Sequence, residues 1–289
     1  MPESPLVMHW NCATSRAVRG VSVCLVAGSL AAGCAHATFV VPVDPGGPAP
    51  DAASAWAAAS AGCGDVQAFV AGARASGKVG TQRVWPVSLE VAVTTSDSIY
   101  IGATVAGNSL FVLAGTGNRA TLWLRHDERV ITGTPAAILE AVVGVPLTPR
   151  QLLGILTGCV TQTATADGAV RHKDLISMRT AEGRVYLTQV AGQWQIRAAT
   201  TDAFVVEFTR RAGRQPDDVW IRSTGAGSLA ASLHLTISDG EVNAAIPPTV
   251  FQLPAAAGSA APMTLEDLRA AGPWKKRAPA SEPRPWPMP

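Results

Sequence analysis

What most constrains this chain is a change in hydrophobic period, with short alternating runs on either side of one pair of helical segments. Val87, Leu89, Val91 and Val93 alternate with Ser88, Glu90 and Ala92, the two-residue repeat of strands with one buried face. Further runs follow over 98–104, 109–114 and 120–126; in the last, Leu122 and Leu124 face away from Thr121, Trp123 and Arg125. Between 134 and 158 the repeat lengthens. Thr134-Pro135 and Thr148-Pro149 each read as an N-cap followed by proline at the first helical position, and Gly144 and Gly158 supply the stops. Ile138 and Val142 share one face of the first helix, and Leu152, Leu153 and Leu156 form the stripe of the second. Strands resume over 175–179, 184–190, 194–198, 203–210, 219–223 and 232–238. Such short spacing predicts an antiparallel meander, and helices this short must pack on it because they are marginal alone. The expected class is therefore α+β, a curled antiparallel sheet covered by short helices. Upstream, 51–75 reads as a further Ala-rich helix carrying Trp56, Val66, Phe69 and Val70, weakened into two pieces at Gly62 and Gly64. Thr264 caps a brief late helix.

Composition narrows the function classes. The chain is 47% hydrophobic and 15% charged with a formal charge of +2, and its cations form no block. A duplex-binding domain normally shows a clustered basic face, so nucleic acid is not expected as a partner. Gly115-Thr-Gly-Asn-Arg-Ala120 fits a loose dinucleotide pattern but lies between two strands, and reads as a hairpin turn. Gly225-Ala-Gly-Ser228 lacks the G-x-S-x-G order of a nucleophile elbow. Arg125-His-Asp-Glu128 at a strand end reads as a solvated turn, and His126, His172 and His234 lie too far apart in sequence to suggest a metal site. Neither an enzyme nor a cofactor is expected.

The first thirty-three residues read as an address. Arg16 and Arg19 precede an uncharged apolar stretch over 21–33 that ends at Cys34. A basic start, a short apolar run and small residues make a secretory signal, and the run is shorter than the roughly 20 residues of a transmembrane helix. Leu30-Ala-Ala-Gly-Cys34 resembles the bacterial lipobox, in which the cysteine becomes the acylated first residue, with palmitate as a typical chain. Here leucine stands one place further back than usual. The alternative is ordinary cleavage near Ala35-His36-Ala37. Ala35, rather than Asp, after the cysteine points by analogy to the outer membrane. Export leaves Cys63 and Cys159 as a candidate disulfide in an oxidising compartment, with two buried thiols as the alternative. Residues 34–52 carry Pro42, Pro45, Pro48 and Pro50 and read as an extended tether. Residues 53–274 form the expected domain, and 275–289, rich in proline, an expected disordered tail.

The order helix, strands, helical pair, strands resembles the LolA/LolB-like family. The likeness is carried by Asn108-Ser-Leu-Phe-Val-Leu-Ala-Gly115, by Ala120-Thr-Leu-Trp-Leu124, and by Leu139-Glu-Ala-Val-Val-Gly-Val-Pro-Leu-Thr-Pro-Arg-Gln-Leu-Leu-Gly154. It covers roughly 51–275 and implies a half-barrel that binds acyl chains of lipoproteins, or another lipid, in an apolar cavity between sheet and helices. It further implies a lipid-anchored, periplasm-facing location and a periplasmic carrier as partner. Leu110, Val112, Leu122, Leu124, Leu152 and Leu156 are the expected cavity residues, and each is also readable as plain core. The family's membrane-engaging loop falls on Val105-Ala106-Gly107-Asn108, with Val105 and Ala106 where a larger residue is expected. The alternative function is a non-catalytic structural or assembly lipoprotein using the fold as a docking platform.

Overall fold

Period-two alternation runs through most of the chain and joins its strands into one open sheet. The computed structural model describes residues 38–160, 163–209, 215–225 and 230–271. The signal, Cys34 and the 275–289 tail lie outside the described residues. The strands are β1 Gly47–Pro48, β2 Ala68–Val79, β3 Gln82–Thr94, β4 Ser98–Val105, β5 Asn108–Thr116, β6 Arg119–Leu124 and β7 Arg129–Gly133. The second series is β8 Thr165–His172, β9 Leu175–Arg179, β10 Gly183–Val190, β11 Gln193–Thr201, β12 Phe204–Thr209, β13 Asp218–Ser223, β14 Ala231–Val242 and β15 Ala261–Pro262. The helices are α1 Ala52–Ala59, α2 Pro135–Val143, α3 Pro149–Thr157 and α4 Leu265–Ala271.

The sheet order is β1-β8-β9-β10-β11-β12-β13-β14-β2-β3-β4-β5-β6-β7-β15. The two meanders therefore meet where β14 pairs with β2, and every pairing is antiparallel except β15 on β7. All the helices contribute to one core on one face of the sheet, with Ala52 and Ala55 of α1, Ile138 and Val142 of α2, Leu152 to Leu156 of α3 and Leu268 of α4. The other face carries two small apolar clusters. Phe39 covers Tyr186 and Ala198 in one, and Ala257 covers Val112 and Trp123 in the other. Among the described residues no helix is long and apolar enough to cross a membrane.

The helix ends form as their residues dictate. Thr134 Oγ1 accepts from the Ala137 amide, Thr148 forms a reciprocal capping box with Gln151, and Gly144 and Gly158 close the helices in the left-handed region. Two expectations need correction. The helix read over 51–75 stops at Ala59, and 68–79 is strand β2. Its alanines follow the strand period, with Phe69, Ala71, Ala73 and Ala75 buried between β14 and β3. Tertiary pairing outweighs the modest helix propensity of Ala here. Strand β8, with the polar sequence TADGAVRH, was not expected because it lacks an apolar repeat; it is placed by pairing with β9 and β1.

Candidate functional site

The disulfide sets up the site. Cys63 sits in a single helical turn after α1, and Cys159 follows the Gly158 stop of α3. They are bonded, with Cα atoms 5.4 Å apart across 96 positions of sequence. A glycine makes this approach geometrically feasible. A Cβ on Gly154 would lie 2.8 Å from the Cys159 carbonyl oxygen and 3.0 Å from the Val160 Cα, so only glycine lets the chain fold back over the helix here.

Beside the bridge lies an open groove of about 590 Å³, within the usual ~300–1,000 Å³ of small-molecule sites. Its lining includes Ala58, Ala59 and Gly62 at and after the end of α1, Thr157 and Gly158 at the end of α3, and Val66, Trp194 and Val242, with Gln193, Gln195 and Gln215 as its amide groups. No titratable side chain occurs among the described lining residues. The Thr157 hydroxyl donates to the Leu153 carbonyl at 2.8 Å, so it is spent within α3. Arg171 lies 5.9 Å from the centroid of the Trp194 ring, and its Nη2 donates to both oxygens of Asp51 at 2.6 and 2.7 Å. That hydrogen bond holds the Asp51 carboxyl below its ordinary value, and it ties the start of α1 to β8. Such a surface offers dry contact and a few amide groups but no acid or base, which suits binding an apolar chain.

The six expected cavity residues lie elsewhere. Leu122, Leu124, Leu152 and Leu156 are buried in the main core, and Leu110 is half-buried against it. Val112 stands on the other face. Cross-strand pairs share a face, and Leu122 and Leu124 oppose Leu113 and Phe111, whereas Val112 opposes Trp123. Beside α3, a space of about 30 Å³ lies between Ile155, Phe204 and Val206 and the polar Gln151, Glu182 and Arg184, room for one water rather than an acyl chain. The Val105–Asn108 segment is a two-residue hairpin turn with Ala106 and Gly107 in the left-handed region, so it projects no further than its strands.

Three polar clusters were not brought together by sequence reasoning. His234 Nε2 meets Asp218 Oδ1 at 2.9 Å and stacks on Trp220 on the outer face. Asp44, His172 and Ser177 follow one another at 3.1 and 3.2 Å, a carboxylate–imidazole–hydroxyl order. Ser177 is fully buried, however, and its Oγ also accepts from Arg184 at 3.1 Å, so the hydroxyl is not presented to any substrate. The third is a clamp. The Phe39 amide donates to Glu207 Oε2 at 2.9 Å, Arg222 Nη2 donates to the Phe39 carbonyl at 2.6 Å, and Arg197 Nη2 donates to Glu207 Oε1 at 2.6 Å. The only sequence signal for it is a carboxylate within the apolar run of β12; its partner lies 168 positions away. His126 is 84% exposed, in the solvated turn expected of it.

Comparison with solved structures finds a LolA superfamily protein from Nitrosomonas europaea at TM-score 0.44 and 8% identity, covering 65% of this chain and 90% of that one. An outer membrane lipoprotein-sorting protein domain from Vibrio parahaemolyticus gives 0.41 at 8% identity, covering 70% and 94%. LprF from Mycobacterium bovis gives 0.28 at 14% identity, covering 70% and 98%. No protein-family model matches the sequence, and no curated protein does.

Proposed function

We propose that this chain is a non-catalytic, envelope-located binding protein that takes an acyl chain of a lipid or lipoprotein into the groove beside the Cys63–Cys159 bridge. The observation that carries this is the lining itself: alanine, glycine, valine, a half-buried indole and the disulfide, with a threonine and three glutamines as its polar side chains and no acid or base among the described lining residues. Each methylene moved from water into such a surface contributes about 0.8 kcal/mol, which must first offset the cost of association. The lipobox-like Leu30-Ala-Ala-Gly-Cys34 supports a lipid anchor, and Ala35 supports an outer-membrane, periplasm-facing position. In this reading the open sheet is the half-barrel of the LolA/LolB-like pattern, its helices form the cover, and a periplasmic carrier delivers the chain to be bound.

The test is uptake of a fluorescent long-chain fatty acid by the purified protein, compared with Ala59→Arg. Ala59 is half-buried on the groove wall, so the guanidinium reaches water while its stem crosses the lining. Affinity is expected to fall at least tenfold with the thermal midpoint unchanged. Equal uptake by both proteins, or none by the parent, refutes the groove as a lipid site. A second reading, a protein-docking platform, has one observation in its favour: Leu152, Leu153, Ile155 and Leu156 of α3 are buried as packing in the core.

A further inference from the structure

Four adjacent strands place their side chains in one row across the outer face. Arg222 on β13 opposes Ser232 on β14, Ser232 opposes Lys78 on β2, and Lys78 opposes Arg83 on β3. At ~4.8 Å per strand the row is about 14 Å long. Arg222 is occupied by the Phe39 carbonyl. Lys78 and Arg83 are exposed, and neither has an ion-pair partner among the described residues.

Two positions beyond Arg83 the ladder bulges. Ala75 pairs with Val87 and Gly77 with Val84, so Ser76 alone faces Trp85 and Pro86. Bulges re-aim side chains, and Trp85 projects with 59% of its surface exposed while Val84 and Val87 on either side are buried. The Arg83 guanidinium lies 4.8 Å from the Trp85 ring centroid. A two-residue turn at Gly80-Thr81 closes the hairpin just beyond.

An exposed indole beside two cations without ion-pair partners among the described residues has the chemistry of a headgroup contact. Tryptophan partitions to the membrane interface, and each cation is attracted to anionic lipid. The fold adds a positional argument. The clamp that fixes Phe39 stands at the Arg222 end of this same row. On the lipobox reading the anchor at Cys34 precedes Phe39 by five residues, a reach of at most about 18 Å at full extension; the patch itself does not depend on that reading. The groove, whose lining includes Val66 and Val242, lies at the opposite end of the twelve-residue β2, about 26–33 Å along the strand from the patch at ~3.3 Å per residue.

We propose that the β2–β3 hairpin rests on an anionic bilayer surface through Trp85, Arg83 and Lys78, and thereby turns the groove away from the membrane. The test uses the unlipidated chain beginning at Ala35, which retains every described element, floated with phosphatidylglycerol-containing or pure phosphatidylcholine vesicles. Binding is expected only with phosphatidylglycerol. Lys78→Gln with Arg83→Gln should weaken it by roughly 25-fold, about fivefold per cation, and Trp85→Ala should weaken it without altering the thermal midpoint. Replacing Val105 and Ala106 by Ser should change nothing. A parent chain that ignores anionic vesicles, or folded hairpin variants that bind as the parent does, overturns the proposal. Loss in the double variant with none in Trp85→Ala would mark a general polyanion contact and also overturn it. Fatty-acid uptake in the same samples separates the two readings. Vesicle binding without uptake supports the hairpin contact while removing the lipid groove.

Discussion

Cutting the Cys63–Cys159 bridge tests how the groove is held. The bond joins positions 96 apart, and closing a loop of roughly a hundred residues restricts the unfolded chain by about 4–5 kcal/mol in the chain-entropy account. With a urea dependence of about 2–3 kcal/mol per molar for a domain of this size, serine at both positions should lower the unfolding midpoint by about 2 M. The global loss should come with a local one. The turn over 63–65 and the end of α3 are linked covalently only here, so hydrogen exchange of the amides over 60–66 should accelerate more than that of β12, which lies between two paired strands. Fatty-acid affinity should drop with it, because two groove walls lose their common fixture. The measurements are urea titration followed by fluorescence, and exchange mass spectrometry, on oxidised parent and Cys63→Ser/Cys159→Ser. A midpoint shift below about 0.5 M would refute the loop-closure argument, and uniform exchange would refute the fixture.

Glu207→Ala should release the amino-terminal segment. Glu207 is 1% exposed and Arg197 beside it 29%, so the loss is expected near 2 kcal/mol, below the range for a fully buried pair because Arg197 keeps access to water; protease cleavage near residue 39 should rise in parallel. Asp51→Asn should flatten the acid limb of stability. The Arg171 hydrogen bond holds the Asp51 carboxyl below its ordinary 3.8, so its contribution is complete above that value and disappears as pH falls through the lower folded one. Asp44, held down by His172 in the same way, adds to this loss, and thermal midpoints measured from about pH 2 to 5 should show a shallower fall in Asp51→Asn. An unchanged profile would remove the carboxylate from the account.

Sequence legibility followed the distance over which each feature is decided. The helical pair was legible to the residue because Thr134, Thr148, Gly144 and Gly158 act within one turn of their own positions. The clean alternation of β3, β12 and β14 was legible for the same reason. The Ala-rich β2 was not, since Phe69, Ala71, Ala73 and Ala75 specify a strand only once β3 and β14 lie beside them. The candidate site was legible in its fixture and not in its walls. Reading the first thirty-three residues as a signal leaves Cys63 and Cys159 as the pair, whereas Ala59, Trp194 and Val242 come from three distant stretches that nothing local connects. The leucines that looked like a ligand surface are packing, and greasiness alone cannot distinguish a lined cavity from a filled one.

An open sheet of this breadth has two margins where another chain could add itself, hydrogen bond by hydrogen bond. Here each margin ends in a stub of two residues, Gly47–Pro48 at one side and Ala261–Pro262 at the other. Proline has no amide hydrogen to offer a newcomer, and so short a stub gives little template to copy. The consequence is that each margin of the broad ladder ends in a proline stub, which gives a second chain little to extend.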